Sequence, residues 1–243
     1  ANEAEKVLQL LHISNDRVAP QTLDELIADR QQRLTAYQNP AYAKLYQQQV
    51  ARVRASDPHS EEPDSITLAV VSQLYRLMAI KDEYEVARLY SDGEFQRKLH
   101  QKFEGDFELR FNLAPPLFSQ RDPDSGHLVK REFGPWIMQA FVLLARLKVL
   151  RGTVVDVFGK TQERRRERAD LEEYRNLLDT LLTGLHESNY AEALELARLP
   201  ARLRGFGHVK DLNRELLAPQ REKLLREFRG EKSGESVTIV EVA

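Results

Sequence analysis

Apolar residues recur at helical spacing along most of the chain, with one stretch of strand-like alternation between them. Val7, Leu8, Leu10 and Leu11 make a short amphipathic piece, closed by the polar Ser14-Asn15-Asp16 run. Thr22-Leu23-Asp24-Glu25 reads as a capping box, in which the threonine hydroxyl accepts from the third helical N–H while Glu25 reaches back to the cap. The helix it opens places Leu23, Leu26, Ile27, Leu34 and Tyr37 on an apolar face and stops at Asn39-Pro40. Tyr42, Leu45, Tyr46, Val50 and Val53 mark a second helix, so the pair predicts a helical hairpin. Residues 56–65, rich in proline and acids, form the clearest internal loop. Helical spacing returns with Ile66, Val70, Leu74, Leu77 and Met78, continues or restarts over 81–90, and is interrupted at Gly93. It resumes over 95–103, before Gly105, a residue suited to the left-handed conformation past a helix end.

The period then changes. Phe107, Leu109, Phe111 and Leu113 alternate with Glu108, Arg110 and Asn112, which predicts a strand with one buried face. Pro115-Pro116 ends it, Asp122-Pro123-Asp124-Ser125-Gly126 signals a turn, and Val129, Arg131 and Phe133 suggest a returning strand. Pro135 stands where a helix can begin without needing an N–H. The helix over 136–150 is apolar nearly all round, which places it at the centre of the fold with Trp136 as its anchor. After a connector at 152–159 come helices over 161–185, 190–199 and 208–228, the last containing Pro219. The expected architecture is mainly α: a helical bundle-like domain with a small two-stranded β excursion near residues 107–133. Residues 1–21 read as a connector, 22–230 as the domain with a candidate sub-boundary at the 56–65 loop, and 231–243 as a tail.

Composition narrows the function classes. Length suits one large domain or two small ones, and 42% hydrophobic with 30% charged residues is a globular balance. With 36 basic against 38 acidic residues, no whole-chain field attracts nucleic acid or an anionic membrane. The absence of cysteine removes disulfides, thiolate nucleophiles and thiolate ligands for zinc or iron–sulfur clusters, and suits a reducing cytoplasm. The opening residues carry no signal-peptide pattern, and the longest apolar stretch is broken by Arg146 and Lys148. The chain opens on Ala1 and not Met, which suggests an excised or processed piece.

Four stretches carry a resemblance. They are Met78-Ala79-Ile80-Lys81-Asp82-Glu83-Tyr84-Glu85-Val86-Ala87-Arg88-Leu89-Tyr90, then Phe103-Glu104-Gly105-Asp106-Phe107, then Phe111-Asn112-Leu113-Ala114-Pro115-Pro116-Leu117 leading to Lys130-Arg131-Glu132-Phe133-Gly134-Pro135-Trp136, and finally Arg204-Gly205-Phe206-Gly207-His208-Val209-Lys210. In this order they resemble the carboxy-terminal helical region of the fused bacterial indolepyruvate:ferredoxin oxidoreductases. The resemblance implies a parent enzyme that oxidatively decarboxylates aryl 2-oxoacids to acyl-CoA, using thiamine diphosphate, magnesium, iron–sulfur clusters and coenzyme A. It places those sites in upstream domains, assigns no catalytic residue to this region, and implies ferredoxin as a partner of the whole enzyme.

The residues themselves offer few sites. Gly105-Asp106 is followed by Phe107 without the Gly-Asp-Gly pattern of a thiamine diphosphate site, and a helix-stop glycine accounts for it. His100 with Glu104, and His208 with Asp211, supply two candidate metal ligands each where three or four are needed. Arg164, Arg165, Arg166 and Arg168 alternate with Glu163, Glu167, Glu172 and Glu173, as on a solvated helix face. Tyr84 and Glu85, near Lys81 and Arg88, look like a cluster but fit equally well on the exposed side of a helix. Arg204, Gly205, Gly207, His208 and Lys210, with Arg202 nearby, hold the parts of an anion site at a helix N-terminus. The same residues also fit a tight helix–helix turn. The leading expectation is a non-catalytic structural or interface domain that packs on catalytic domains of the same polypeptide or on a second protomer. A free-standing helical adaptor with a groove for a partner helix is the alternative.

Overall fold

Helix starts in this chain are set by side chains that accept the free N–H groups of a first turn. In the computed structural model, which describes residues 22–103, 105, 108–113, 131–203, 205 and 208–231, Thr22 and Glu25 exchange the two hydrogen bonds of the expected capping box, at 3.2 and 3.3 Å. They open α1 (Leu23–Tyr37). Pro40 begins α2 (Pro40–Ser56), where its missing N–H costs nothing. Ser65 caps α3 (Ile66–Met78) by accepting from the Leu68 N–H, and Asp82 caps α4 (Glu83–Ser91) by accepting from that of Glu85. Then follow α5 (Glu94–Lys102), β1 (Phe111–Leu113), β2 (Arg131–Phe133), α6 (Ile137–Arg146), α7 (Gln162–Gly184), α8 (Tyr190–Arg198) and α9 (His208–Phe228). The fold is mainly helical with one two-stranded antiparallel sheet, in which Phe111 faces Phe133 and Leu113 faces Arg131. The connector 1–21, Phe107, the 122–126 turn, Val129 and all of the tail except Glu231 lie outside the described residues.

The chain divides into two compact units, each assembled from separate segments. Among the described residues, those within 22–35, 40–79 and 166–231 form a bundle unit, and those within 36–39 and 80–165 form a sheet-bearing unit. The 56–65 loop lies inside the bundle unit. Asp57 explains why: 6% exposed, it accepts from the Thr67 N–H and hydroxyl, from the His59 N–H and from the Tyr190 hydroxyl. A carboxylate so satisfied holds the loop against the bundle at little desolvation cost.

The bundle unit buries most of the stripes that the spacing predicts, with Leu45 of α2 left exposed. Leu34, Tyr46, Val50, Val70 and Leu74 line its interior with Leu171, Leu178, Leu181 and Leu196. Ala193 and Ala197, both without exposed surface, let α8 approach its neighbours closely. Buried hydroxyls find backbone acceptors: Tyr46 donates to the Val71 carbonyl at 3.0 Å and Tyr174 to that of Ala197 at 2.8 Å. Burial drives both phenols above their ordinary range. Helix α9 runs through Pro219 without ending.

The sheet-bearing unit packs Phe95 and Leu99 of α5, Phe111 of β1 and Phe141 of α6 around Ala87 of α4. Tyr90 sits among them, stacked on Phe141 at 5.3 Å and edge-on to Phe95 and Phe111. Helix α6 departs from the expectation of a central helix. Phe141 is its one buried residue, and the helix tightens into a 3-10 turn at Leu147–Leu150. Ile137, Met138, Phe141, Leu144 and Ala145 meet the core, while Leu143 is 61% exposed and Trp136, the expected anchor, 62% exposed. An apolar surface all round a helix calls for burial on both faces, and the unit supplies a neighbour for one.

Candidate functional site

Two features of the sheet-bearing unit combine into a site: a charged knot, and the apolar face it supports. The knot starts at Asp82, which is 3% exposed. Its carboxylate caps α4 and also receives a bidentate pair from Arg151, at 2.5 and 2.8 Å. The remaining guanidinium N–H groups reach the Tyr37 carbonyl and the Gln38 amide oxygen, both at 2.7 Å, and the cation lies 3.8 Å above the Tyr37 ring. Burial disfavours the Arg151 charge, but the hydrogen bonds and charge of Asp82 outweigh it and raise its pKa. One fork-shaped side chain thus ties residues 37–38, the start of α4 and the end of the Leu147–Leu150 turn.

A second carboxylate fixes the connector beyond it. Asp156, 4% exposed, accepts from the N–H groups of Gly152 and Gly159 at 2.8 and 2.9 Å and from the Tyr84 hydroxyl at 3.2 Å. Burial, then the Asp156 charge, push the Tyr84 hydroxyl up to about 12. Tyr84 is therefore an interior residue, not part of an exposed helix side. Glu85 and Arg88 form a bidentate pair at 2.7 and 2.8 Å. The 81–88 cluster is a brace: Glu85 engages Arg88, Asp82 engages Arg151 and Glu83 faces Arg164.

On this brace stands a run of exposed apolar side chains. Trp136, Leu143, Val149, Val154, Val155 and Val157 are each more than half exposed, and Val154 reaches 87%. Val142 and Leu147 add to them. Between residues 134 and 165 the charges are Arg146, Lys148, Arg151, Lys160, Arg164 and Arg165 against Asp156 and Glu163. Arg151 is spent in the knot, and Lys148 donates to the Ala36 carbonyl, burial lowering its pKa. Arg146, Lys160 and Arg165 are exposed.

The bundle unit carries a cleft of about 340 Å³, walled by Leu77, Tyr174, Leu177, Leu199, Leu203 and Leu217. Its rim holds two ion pairs, Arg214 bidentate to Asp170 and Arg221 to Glu173.

The glycine turn before α9 has an acidic neighbourhood. Gly205 adopts φ +92°, and a Cβ there would lie 2.7 Å from Val209, so both conformation and space require glycine. Lys210 faces the carboxylates of Glu167 at 3.5 Å and Asp170 at 3.6 Å, and Asp211 pairs with Arg166 and Arg214. Arg204, Gly207 and the His208 side chain lie outside the described residues. The described part of the turn thus brings its cation to carboxylates. His100 bonds the Gln96 carbonyl. Among the described residues no group of three His, Asp or Glu side chains could hold a metal ion, and no helix is long and apolar enough to cross a membrane.

Sequence reasoning missed Asp57, Asp82, Asp156 and Arg151. Only Asp82 left a signal, standing just before a helical run. Residues 23–223 match a sequence family described as a family of unknown function (DUF6537). No curated protein and no solved structure matches the chain.

Proposed function

The chain belongs to the DUF6537 family, and from that premise we propose that it is a non-catalytic interface domain of an aryl 2-oxoacid:ferredoxin oxidoreductase, docked on that enzyme's catalytic domains in the cytoplasm. The observation that carries this reading is the apolar face from Trp136 to Val157. Isolated exposed apolar residues are ordinary, but eight large ones between Trp136 and Val157, on a braced frame, are the mark of a surface that another protein covers. Two stretches of the resemblance bear on it: residues 78–90 supply Asp82 and Tyr84 of the brace, and residues 130–136 end at Trp136.

Thiamine diphosphate, magnesium, iron–sulfur clusters and coenzyme A belong, on this reading, to the partner domains. The chain has no cysteine to ligate a cluster. Its own part is to complete the fold of the enzyme around them, with ferredoxin as a partner of the assembly. Produced alone, the chain should turn over no indolepyruvate with a viologen acceptor. It should associate with the thiamine- and cluster-bearing region produced as a second chain. Failure of the two to associate would sink the reading.

The bundle-unit cleft favours a second reading, a helical adaptor that takes a partner helix between α7 and α9. Leu177→Trp would fill that cleft. Loss of association in this variant, with the apolar face intact, would move the conclusion to the adaptor.

A further inference from the structure

We infer that the apolar face docks against a protein surface of complementary chemistry, an apolar centre bordered by Asp and Glu side chains. The inference rests on the interface reading above and names the chemistry of the partner. Its first support is charge. Arg146 within the apolar segment, and Lys160 three residues past its end, are exposed and make no ion pair among the described residues. Arg165 stands exposed beyond its end. The acid inside the segment, Asp156, is buried and spends its oxygens on Gly152, Gly159 and Tyr84. With Glu163 the one exposed acid between residues 134 and 165, against exposed Arg146, Lys160 and Arg165, this part of the chain presents an excess of positive charge, and complementary potentials steer and align such a surface on an acidic one.

Charge also argues against a second copy as occupant. A two-fold contact places the same patch on both sides, so Arg146 and Lys160 would meet the cations of the partner copy. An anionic lipid surface shares the required chemistry, but the frame favours protein. Val154, Val155 and Val157 lie on a connector whose shape is set in advance by Asp156, and whose neighbour Arg151 is locked to Asp82. A shape fixed before contact lowers the ordering cost of a complementary protein interface, whereas a fluid bilayer conforms to any shape.

The test uses the chain with the catalytic region as a second chain, and affinity is measured by calorimetry at about 50 and about 500 mM salt, between which the screening length falls severalfold. Leu143→Ser with Val155→Ser should abolish association. Arg146→Glu with Lys160→Glu should weaken it about tenfold or more at low salt and little at high salt, because a like-charge rim is screened. Circular dichroism and chemical denaturation check that both variants keep the fold. Association that ignores the charge reversal and the salt overturns the acidic rim while leaving the interface reading intact. Association that survives Leu143→Ser with Val155→Ser removes this face as the site. Phosphatidylserine vesicles, with phosphatidylcholine vesicles as control, form the lipid arm. Binding to the anionic vesicles that Arg146→Glu with Lys160→Glu abolishes, without association to the catalytic chain, replaces the protein partner by a membrane.

Discussion

The two units treat equally apolar helices in opposite ways. In the bundle unit, α3 turns Ile66, Val70, Val71, Leu74 and Met78 inward, and all are buried. In the sheet-bearing unit, α6 carries at least as apolar a sequence, yet buries Phe141 alone and leaves Val142 and Leu143 in solvent. Side-chain hydrophobicity is the same in kind; what differs is the supply of neighbours. The bundle unit has α1, α2, α7, α8 and α9 to share, whereas among the described residues of the sheet-bearing unit α6 packs with α4, α5 and a two-stranded ribbon. The lesson is that apolar periodicity states how much surface a helix needs covered, and not by which chain.

The sharpest way to break the comparison is through the brace. Asp82→Ala would strip Arg151 of its partner and α4 of its cap, and a broken buried pair costs about 3–5 kcal/mol. Chemical denaturation should show a loss of that size. A loss near that of an exposed ion pair would mean that the knot does not hold the sheet-bearing unit.

The comparison itself is measured by one substitution in each unit. Leu178 is 1% exposed in α7, and Leu178→Ala should cost about 2–5 kcal/mol through lost burial and a residual cavity. Leu143→Ala, on the open side of α6, should change stability by no more than about 0.5 kcal/mol in the isolated chain. Equal effects would show that α6 is covered after all.

The smallest effect sharpens the account of the bundle unit. His59 places Nδ1 at 2.8 Å from Glu62 and Nε2 at 3.2 Å from Glu187, so both ring nitrogens face acceptors and the imidazolium is favoured. The hydrogen bonds to Glu62, then to Glu187, raise its pKa above the ordinary value. A group with a raised folded pKa contributes stability that is fully present below its unfolded pKa and is lost as pH rises through the folded one. The stability advantage over His59→Gln should therefore be largest in mild acid and fade above neutrality. Proton NMR of the ring should show its midpoint above that of an unperturbed histidine. A midpoint at or below the ordinary value would remove this contact from the bundle unit's ties.

Much of the fold was legible because its signals are local. Thr22, Glu25, Pro40, Gly93 and the alternation around Phe111 each act within a few residues, so the element boundaries follow from them. The burial of Asp57 in the 56–65 loop was not legible, because proline and acids signal solvent, while Asp57 is held inside by Thr67 and by Tyr190, 133 residues away in sequence. Tyr84 was unreadable for the same reason: its partner is Asp156, across 72 residues of chain. The turn before α9 was recognisable from its glycines, but the carboxylates that face Lys210 stand on α7, 40 and 43 residues earlier. Local chemistry reaches the sequence reader; pairing across the fold does not.

The carboxylate of Asp156 has a kinetic consequence for the connector it organises. Gly159 sits in the single 3-10 turn Phe158–Lys160, shorter than any α-helical ladder, yet it is buried and its N–H is bonded to Asp156, which Tyr84 also holds. Solvent reaches it only when the whole clamp opens, so deuterium uptake at Gly159 becomes a clock for the release of α4 and not for the local fraying usual in such segments. A glycine in a single 3-10 turn would then exchange on the slow timescale of a folded core.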